Sequence, residues 1–202
     1  MSVYKRPVKR TQKRFFKSPA QVRDYLGDLD KNTEIFGITR GDISIIDIIQ
    51  YILHVTGPAD VLLATWTAAD ADIKHAKELF SNGNIRNIQF IVDRSFETRQ
   101  PAYCKELVKS FGEDSIRYQR LHCKFTVIRN ENWNFVIRTS MNLNKNTRFE
   151  NFEITEDKDF SDYFYRFFDV VFKSTKKGVT KSDPWSITGF DDVDMDTFDI
   201  FK

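Results

Sequence analysis

The chain has 202 residues, 41% of them hydrophobic and 30% charged, with a net charge of only +2. That length is enough to bury one domain's core, and the composition excludes a disordered polymer or a disulfide-rich miniature fold. No apolar run approaches the ~18–20 residues of a membrane helix, and the basic amino terminus lacks an apolar h-region. Neither a spanning segment nor a secretory signal is expected, which leaves the cytoplasm as the default location and no membrane partner.

In chain order, residues 1–17 carry Lys5, Arg6, Lys9, Arg10, Lys13, Arg14 and Lys17 without an acid. This basic arm suits phosphate contact, or is simply a solvated terminus. Ser18-Pro19 opens a short helix over 20–29 with Ser18 as its cap, and Gly37 and Gly41 bracket a turn. Asp42 is positioned to cap a strongly apolar helix over 43–54 that Gly57-Pro58 ends. Residues 60–66 form a continuous apolar run, the mark of a central strand covered on both faces. Thr67 or Asp70 then caps a helix through Phe80, stopped at Asn82-Gly83. A strand over 85–92 and a helix over 101–111, begun by Pro101 and stopped by Gly112, complete an alternation that predicts right-handed crossovers and helices on both faces of a sheet.

From Ser115 the pattern changes to strands over 116–119, 121–128 and 133–138, the last two joined by the short polar turn 129–132 as a hairpin. Residues 157–173 space Phe160, Phe164, Phe167, Phe168, Val171 and Phe172 helically, a closing helix whose aromatic stripe is core. Lys176–Ser182 reads as a linker to an acidic tail holding Asp183, Asp191, Asp192, Asp194, Asp196 and Asp199 among Phe190, Phe198 and Phe201. The expected organisation is a basic arm (1–17), one domain (18–175) and an acidic tail (176–202). Cys104 and Cys123 are too few and too far apart for a disulfide framework or a thiolate zinc site. Cys123 is expected to be a small core residue.

The chemistry concentrates between residues 121 and 154. His122 and Lys124 are one residue apart, Ser140 and Asn142 repeat that spacing, and Glu153 follows. On strands, alternate residues share a face, so each pair would aim two polar groups into one site. The other histidines are less informative: His54 sits near a helix end and His75 lies beside Lys74 and Lys77. Trp66, just past the first strand, either lines the cleft where α/β sheets open to ligands or packs in the core.

His122-Cys123-Lys124, Ser140-Met141-Asn142 and Glu153 resemble the H-x-K, S-x-N and later Glu of the phospholipase D superfamily, particularly its small bacterial nucleases with one motif copy. By element order the resemblance runs from about residue 42 to 173. Two positions depart: Arg129 stands where the family has Asp, and Thr139 where it has Gly. The resemblance implies an α/β fold, a phospholipase D-like mixed sheet flanked by helices on both faces. It also implies a phosphodiesterase that needs no cofactor or metal. His122 would attack phosphorus and form a phosphohistidine, and a second histidine would protonate the leaving oxygen. With one motif per chain, that second histidine would be His122 of another copy, across the two-fold axis of a homodimer. Lys124 and Asn142 would hold the phosphate oxygens, Ser140 would steady the loop or bond the phosphate, and Glu153 would orient an imidazole.

The superfamily acts on several diesters, so the substrate must be argued separately. Small size, the single motif, the basic arm and Arg117, Arg120, Arg138, Lys145 and Arg148 near the motif favour nucleic acid, DNA before RNA, held by its backbone. Arg129 and Thr139 motivate an alternative, a nucleic-acid-binding protein with weakened catalysis. The acidic, aromatic tail suits a protein partner or competition with nucleic acid for a basic groove, or is simply a solvated terminus.

Overall fold

The computed structural model describes residues 12–15, 22–175 and 177; most of the basic arm, the Ser18 cap and the acidic tail lie outside them. The strands are β1 (Gln12–Phe15), β2 (Glu34–Thr39), β3 (Ala59–Thr65), β4 (Ile85–Asp93), β5 (Ile116–Gln119), β6 (Phe125–Arg129), β7 (Asn134–Thr139) and β8 (Glu150–Glu156). The helices are α1 (Val22–Leu26), α2 (Ile45–Thr56), α3 (Asp70–Ser81), α4 (Phe96–Arg99), α5 (Pro101–Phe111) and α6 (Lys158–Ser174). The eight strands form one mixed sheet ordered β1-β2-β8-β7-β6-β3-β4-β5. β1–β2, β3–β4 and β4–β5 are parallel, and every pairing from β2 to β3 through β8, β7 and β6 is antiparallel.

Strand alternation divides the core in two. Val61 and Leu63 of β3, with Phe90 and Val92 of β4, join the cluster containing Ile48, Ile49 and Ile52 of α2, Ile73 of α3 and Leu107 of α5. Leu62, Ala64 and Ile91, one residue out of phase, face α6 together with Leu121, Phe125 and Val127. Both faces of the central strands are therefore dry, which is why 60–66 reads as an unbroken apolar run. Phe125 is the hub of the second layer, with ring centroids 4.6 Å from Phe164, 5.8 Å from Phe167 and 5.7 Å from Phe168. Each large side chain buried in this way contributes roughly 1.5–3 kcal/mol.

Several boundaries differ from the sequence reading, each for a local reason. The cap of α2 is Ser44, not Asp42: its Oγ accepts from Asp47 N at 3.3 Å while Asp47 Oδ2 accepts from Ser44 N at 2.8 Å, a reciprocal capping box. α3 starts after Ala69 with no side-chain cap, so neither Thr67 nor Asp70 plays that part. Gly37 lies inside β2, not at a turn, and β8 was hidden because Glu150, Asn151, Glu153 and Glu156 interrupt its apolar pattern. Four residues of the basic arm form β1, parallel to β2.

β6 begins at Phe125, so His122 and Lys124 precede the strand. Its neighbour β3 pairs with it only as far as Ala64 opposite Phe125, and Trp66, just past β3, donates its N–H to Asn142 instead. Cys123, on this approach, is exposed and not core.

Gly37 is required by close packing. A Cβ there would overlap the ring of Phe152, its cross-strand partner on β8. Gly37→Ala is expected to destabilise the protein by about 1–3 kcal/mol, read from denaturant midpoints; an unchanged midpoint contradicts this packing.

Candidate active site

The motif residues gather at one end of the central strands, where β3, β4 and β7 end and β6 begins. Hydrogen bonds between loops hold them there. Asp93, the last residue of β4, accepts from Leu121 N through Oδ2 at 3.0 Å and from Ser95 N through Oδ1 at 2.9 Å. Leu121 is also buried against the α6 layer. The residue before His122 is thus pinned by a charge-assisted bond and by burial, and His122 itself projects into solvent. Lys124 Nζ reaches back to His122 O at 2.7 Å, and Lys124 O accepts from Thr139 N at 3.1 Å. That last bond ties the entrance of β6 to the exit of β7.

The segment after β7 is bolted to the loop after β3. Leu143 N donates to Thr65 Oγ1 at 3.1 Å, Ala69 N donates to Leu143 O at 2.8 Å, and Trp66 N donates to Asn142 Oδ1 at 3.2 Å. With its oxygen engaged, Asn142 has its Nδ2 donor available for an anion. The rings of Trp66 and His122 meet edge to face, centroids 6.2 Å apart at 64°. Trp66 therefore contacts Asn142 through its backbone and His122 through its ring.

Ser140 faces the β8 side. Its Oγ accepts from Asn151 N at 3.0 Å and donates to a carboxylate oxygen of Glu150. Glu150 Oε1 also accepts from Asn146 Nδ2 at 3.1 Å, closing the loop on itself. Further along, burial pushes Asp72 above the usual carboxylate range, opposed by the Lys145 N–H that it accepts at 3.2 Å.

His122, Lys124 and Asn142 come together with Trp66, and Ser140 joins Glu150. Glu153 is ion-paired with its cross-strand neighbour Arg138, whose guanidinium also lies 5.2 Å from the Phe160 ring. Arg120, Lys145 and Arg148 are exposed. Arg117 is a structural residue, only 7% exposed: its Nη1 donates to Asp114 O at 3.1 Å and Ile116 O at 2.9 Å, and its guanidinium covers Phe172 at 4.3 Å. It is removed from the phosphate-contacting set. His54 is exposed near the end of α2, and His75 is half-buried on α3. Sequence reasoning missed Asp93, Arg99 and Glu150. The signal for Glu150 was cross-strand parity, since Ser140 N donates to Asn151 O at 3.1 Å.

Of the two positions that depart from the resembled motif, Arg129 lies away from the polar cluster and Thr139 braces it from the backbone. Arg129 is at the opposite end of β6 from Lys124, paired with Asp162 of α6 at 3.2 Å and stacked over Tyr165 at 4.5 Å. Thr139 shapes its own turn: Oγ1 donates to Asn151 O at 2.6 Å and accepts from Met141 N at 2.9 Å.

Comparison with solved structures identifies this architecture. Nuc from Salmonella typhimurium, a phospholipase D family member, is 14% identical with a TM-score of 0.52, over 73% of this chain and 99% of that one. NucT from Helicobacter pylori is 13% identical with a TM-score of 0.51, over 72% of this chain and all of that one (100%). Polyphosphate kinase from Porphyromonas gingivalis is 12% identical with a TM-score of 0.52, over 71% of this chain; the match spans 26% of the kinase. No family model matches the sequence, and no curated protein matches it either.

Because Asp162 already supplies the carboxylate at the far end of β6, Arg129→Asp sets two acids against each other. The pair is partly exposed, so the loss of stability is expected to be about 1 kcal/mol, read by thermal melting; a more stable Arg129→Asp variant contradicts the assignment.

Proposed function

We propose that this chain, whose fold is that of the phospholipase D superfamily, is a metal-independent phosphodiesterase that cleaves nucleic acid through a phosphohistidine on His122. The observation that carries the reading is the exposed imidazole of His122 at the ends of the central strands, with Lys124 bonded to its carbonyl and Asn142 tied to Trp66, whose ring meets the imidazole. A diester in water resists attack because its oxygens repel the nucleophile. In this reading His122 attacks phosphorus as the P–O bond to the leaving oxygen breaks, and water then cleaves the N–P bond to release the product; in both steps the ammonium of Lys124 and the Nδ2 of Asn142 take up the growing charge on the non-bridging oxygens. Their loops are fixed before substrate arrives, so little reorganisation is needed.

Ser140 is assigned a supporting part, since its hydroxyl bridges Asn151 and Glu150. Glu153 would orient an imidazole only by giving up Arg138, and Glu150 is the acid that meets the motif loop directly. His122 is the histidine at these strand ends, so the leaving-group proton is assigned to His122 of a second copy and the working form to a homodimer. Arg120, Lys145 and Arg148, with Arg138 when released, would contact backbone phosphates, DNA in preference to RNA. The second reading, a binding protein with weakened catalysis, rested on Arg129 and Thr139; the side chains of both are engaged in structural bonds, and His122 stays exposed. That favours the enzyme.

The test is hydrolysis of plasmid DNA and of bis(p-nitrophenyl) phosphate in EDTA, with sedimentation to establish the dimer. His122→Ala should lose at least ~10³-fold in rate with an unchanged circular dichroism spectrum. Wild-type rates in that variant would overturn the mechanism. Salt-sensitive DNA binding without any cleavage by the native protein would select the binding module.

A further inference from the structure

Trp66 presents an unusual environment for its residue type. It belongs to neither core cluster and does not pack against either one as a partly buried hydrophobic residue. Its ring contacts are instead a cation and the imidazole of His122. The guanidinium of Arg99 lies 3.6 Å from the ring centroid and is itself anchored, Nε to Ser95 Oγ at 2.9 Å and Nη2 to Trp66 O at 3.0 Å. Ser95 in turn donates its N–H to Asp93, the residue that pins Leu121. One network therefore fixes the indole, the arginine beneath it and the strap carrying His122.

A core role does not explain this construction. An indole left outside both apolar layers gains little from burial, and the stacked Arg99 keeps it from folding inward. A ring held in place beside an exposed imidazole has little entropy left to lose when a second flat group stacks on it. The flat group that accompanies a scissile phosphate in nucleic acid is the base of the adjoining nucleotide, one sugar away from phosphorus. With the His122 ring 6.2 Å from the indole, a phosphate within attack distance of His122 places that base in reach of Trp66. A base paired in a duplex is stacked and cannot offer its face, whereas an unpaired one can.

We propose that Trp66, backed by Arg99, is a base-stacking subsite that selects unpaired nucleotides next to the cleaved phosphate; this deepens the nuclease reading and rests on it. The interaction reads no base identity, because every base has a π-face.

The experiment uses the full chain, two variants and three labelled ligands of equal length: a mixed-sequence single strand, an abasic strand and a duplex. Binding by fluorescence anisotropy and cleavage of the same ligands are measured in parallel. Trp66→Leu should weaken binding of the base-bearing single strand roughly 5- to 150-fold while leaving the abasic strand nearly unchanged. Trp66→Phe should restore most of the affinity. Equal losses on both strands would mark Trp66 as structural, and no loss, or no single-strand binding by the native protein, would overturn the subsite. If binding depends on Trp66 but nothing is cleaved, the nuclease reading fails and the subsite stands. If cleavage occurs with the same base-to-abasic ratio in native and Trp66→Leu protein, the subsite fails and the nuclease reading stands.

Discussion

The site depends on the closure of four chain segments by hydrogen bonds from backbone N–H groups at the ends of the central strands. Thr139 N to Lys124 O joins β7 to the approach of β6, and Leu143 N to Thr65 Oγ1 joins the loop after β7 to the end of β3. Sheet pairing alone would leave His122-Lys124 and Ser140-Asn142 on independent, solvated ends. These bonds remove that freedom, and the dry layers behind them, with Phe125 on one face and Phe90 and Phe135 on the other, hold the strands in register. Preorganisation of the polar groups is thus a consequence of an ordinary α/β core.

What was legible in the sequence follows from how strongly each element advertises its burial. β3, β4, α5 and α6 carry continuous or helically periodic apolar residues because their faces are dry, and their ends agree with the reading to within a residue or so. β2 and the first half of β8 alternate buried with partly exposed positions, so Gly37, Asn151 and Glu153 could occupy them and mask their period. The polar residues of the motif were legible as a group, but their geometry was not. The spacing of His122 and Lys124 suggested a strand face, yet they sit on an irregular strap defined by Asp93, a residue 28 positions away from Leu121. Side chains that act through such distant tethers leave no local pattern.

Much of the charge in this molecule holds the fold. Arg117, Arg129 and Arg138 all read as candidate or family-aligned positions in the sequence, and all three are engaged by carbonyls, acids or aromatic faces. The reach of an arginine in sequence therefore says little about its availability in the fold. Arg99 shows the converse: unremarked in the sequence, it stacks on Trp66 beside the exposed histidine. Arg129 is held from α6 by Asp162, so its charge is neutralised within the fold.

The central claim is that His122 becomes covalently attached to phosphorus during turnover. Rapid quenching of the native protein with a single-stranded oligonucleotide under neutral or basic conditions, followed by peptide mass spectrometry, tests it directly. The account predicts a phosphonucleotide adduct on the peptide containing His122, with a lifetime that matches turnover. Cleavage that proceeds with no adduct on that histidine, or with the adduct on another residue, would contradict it.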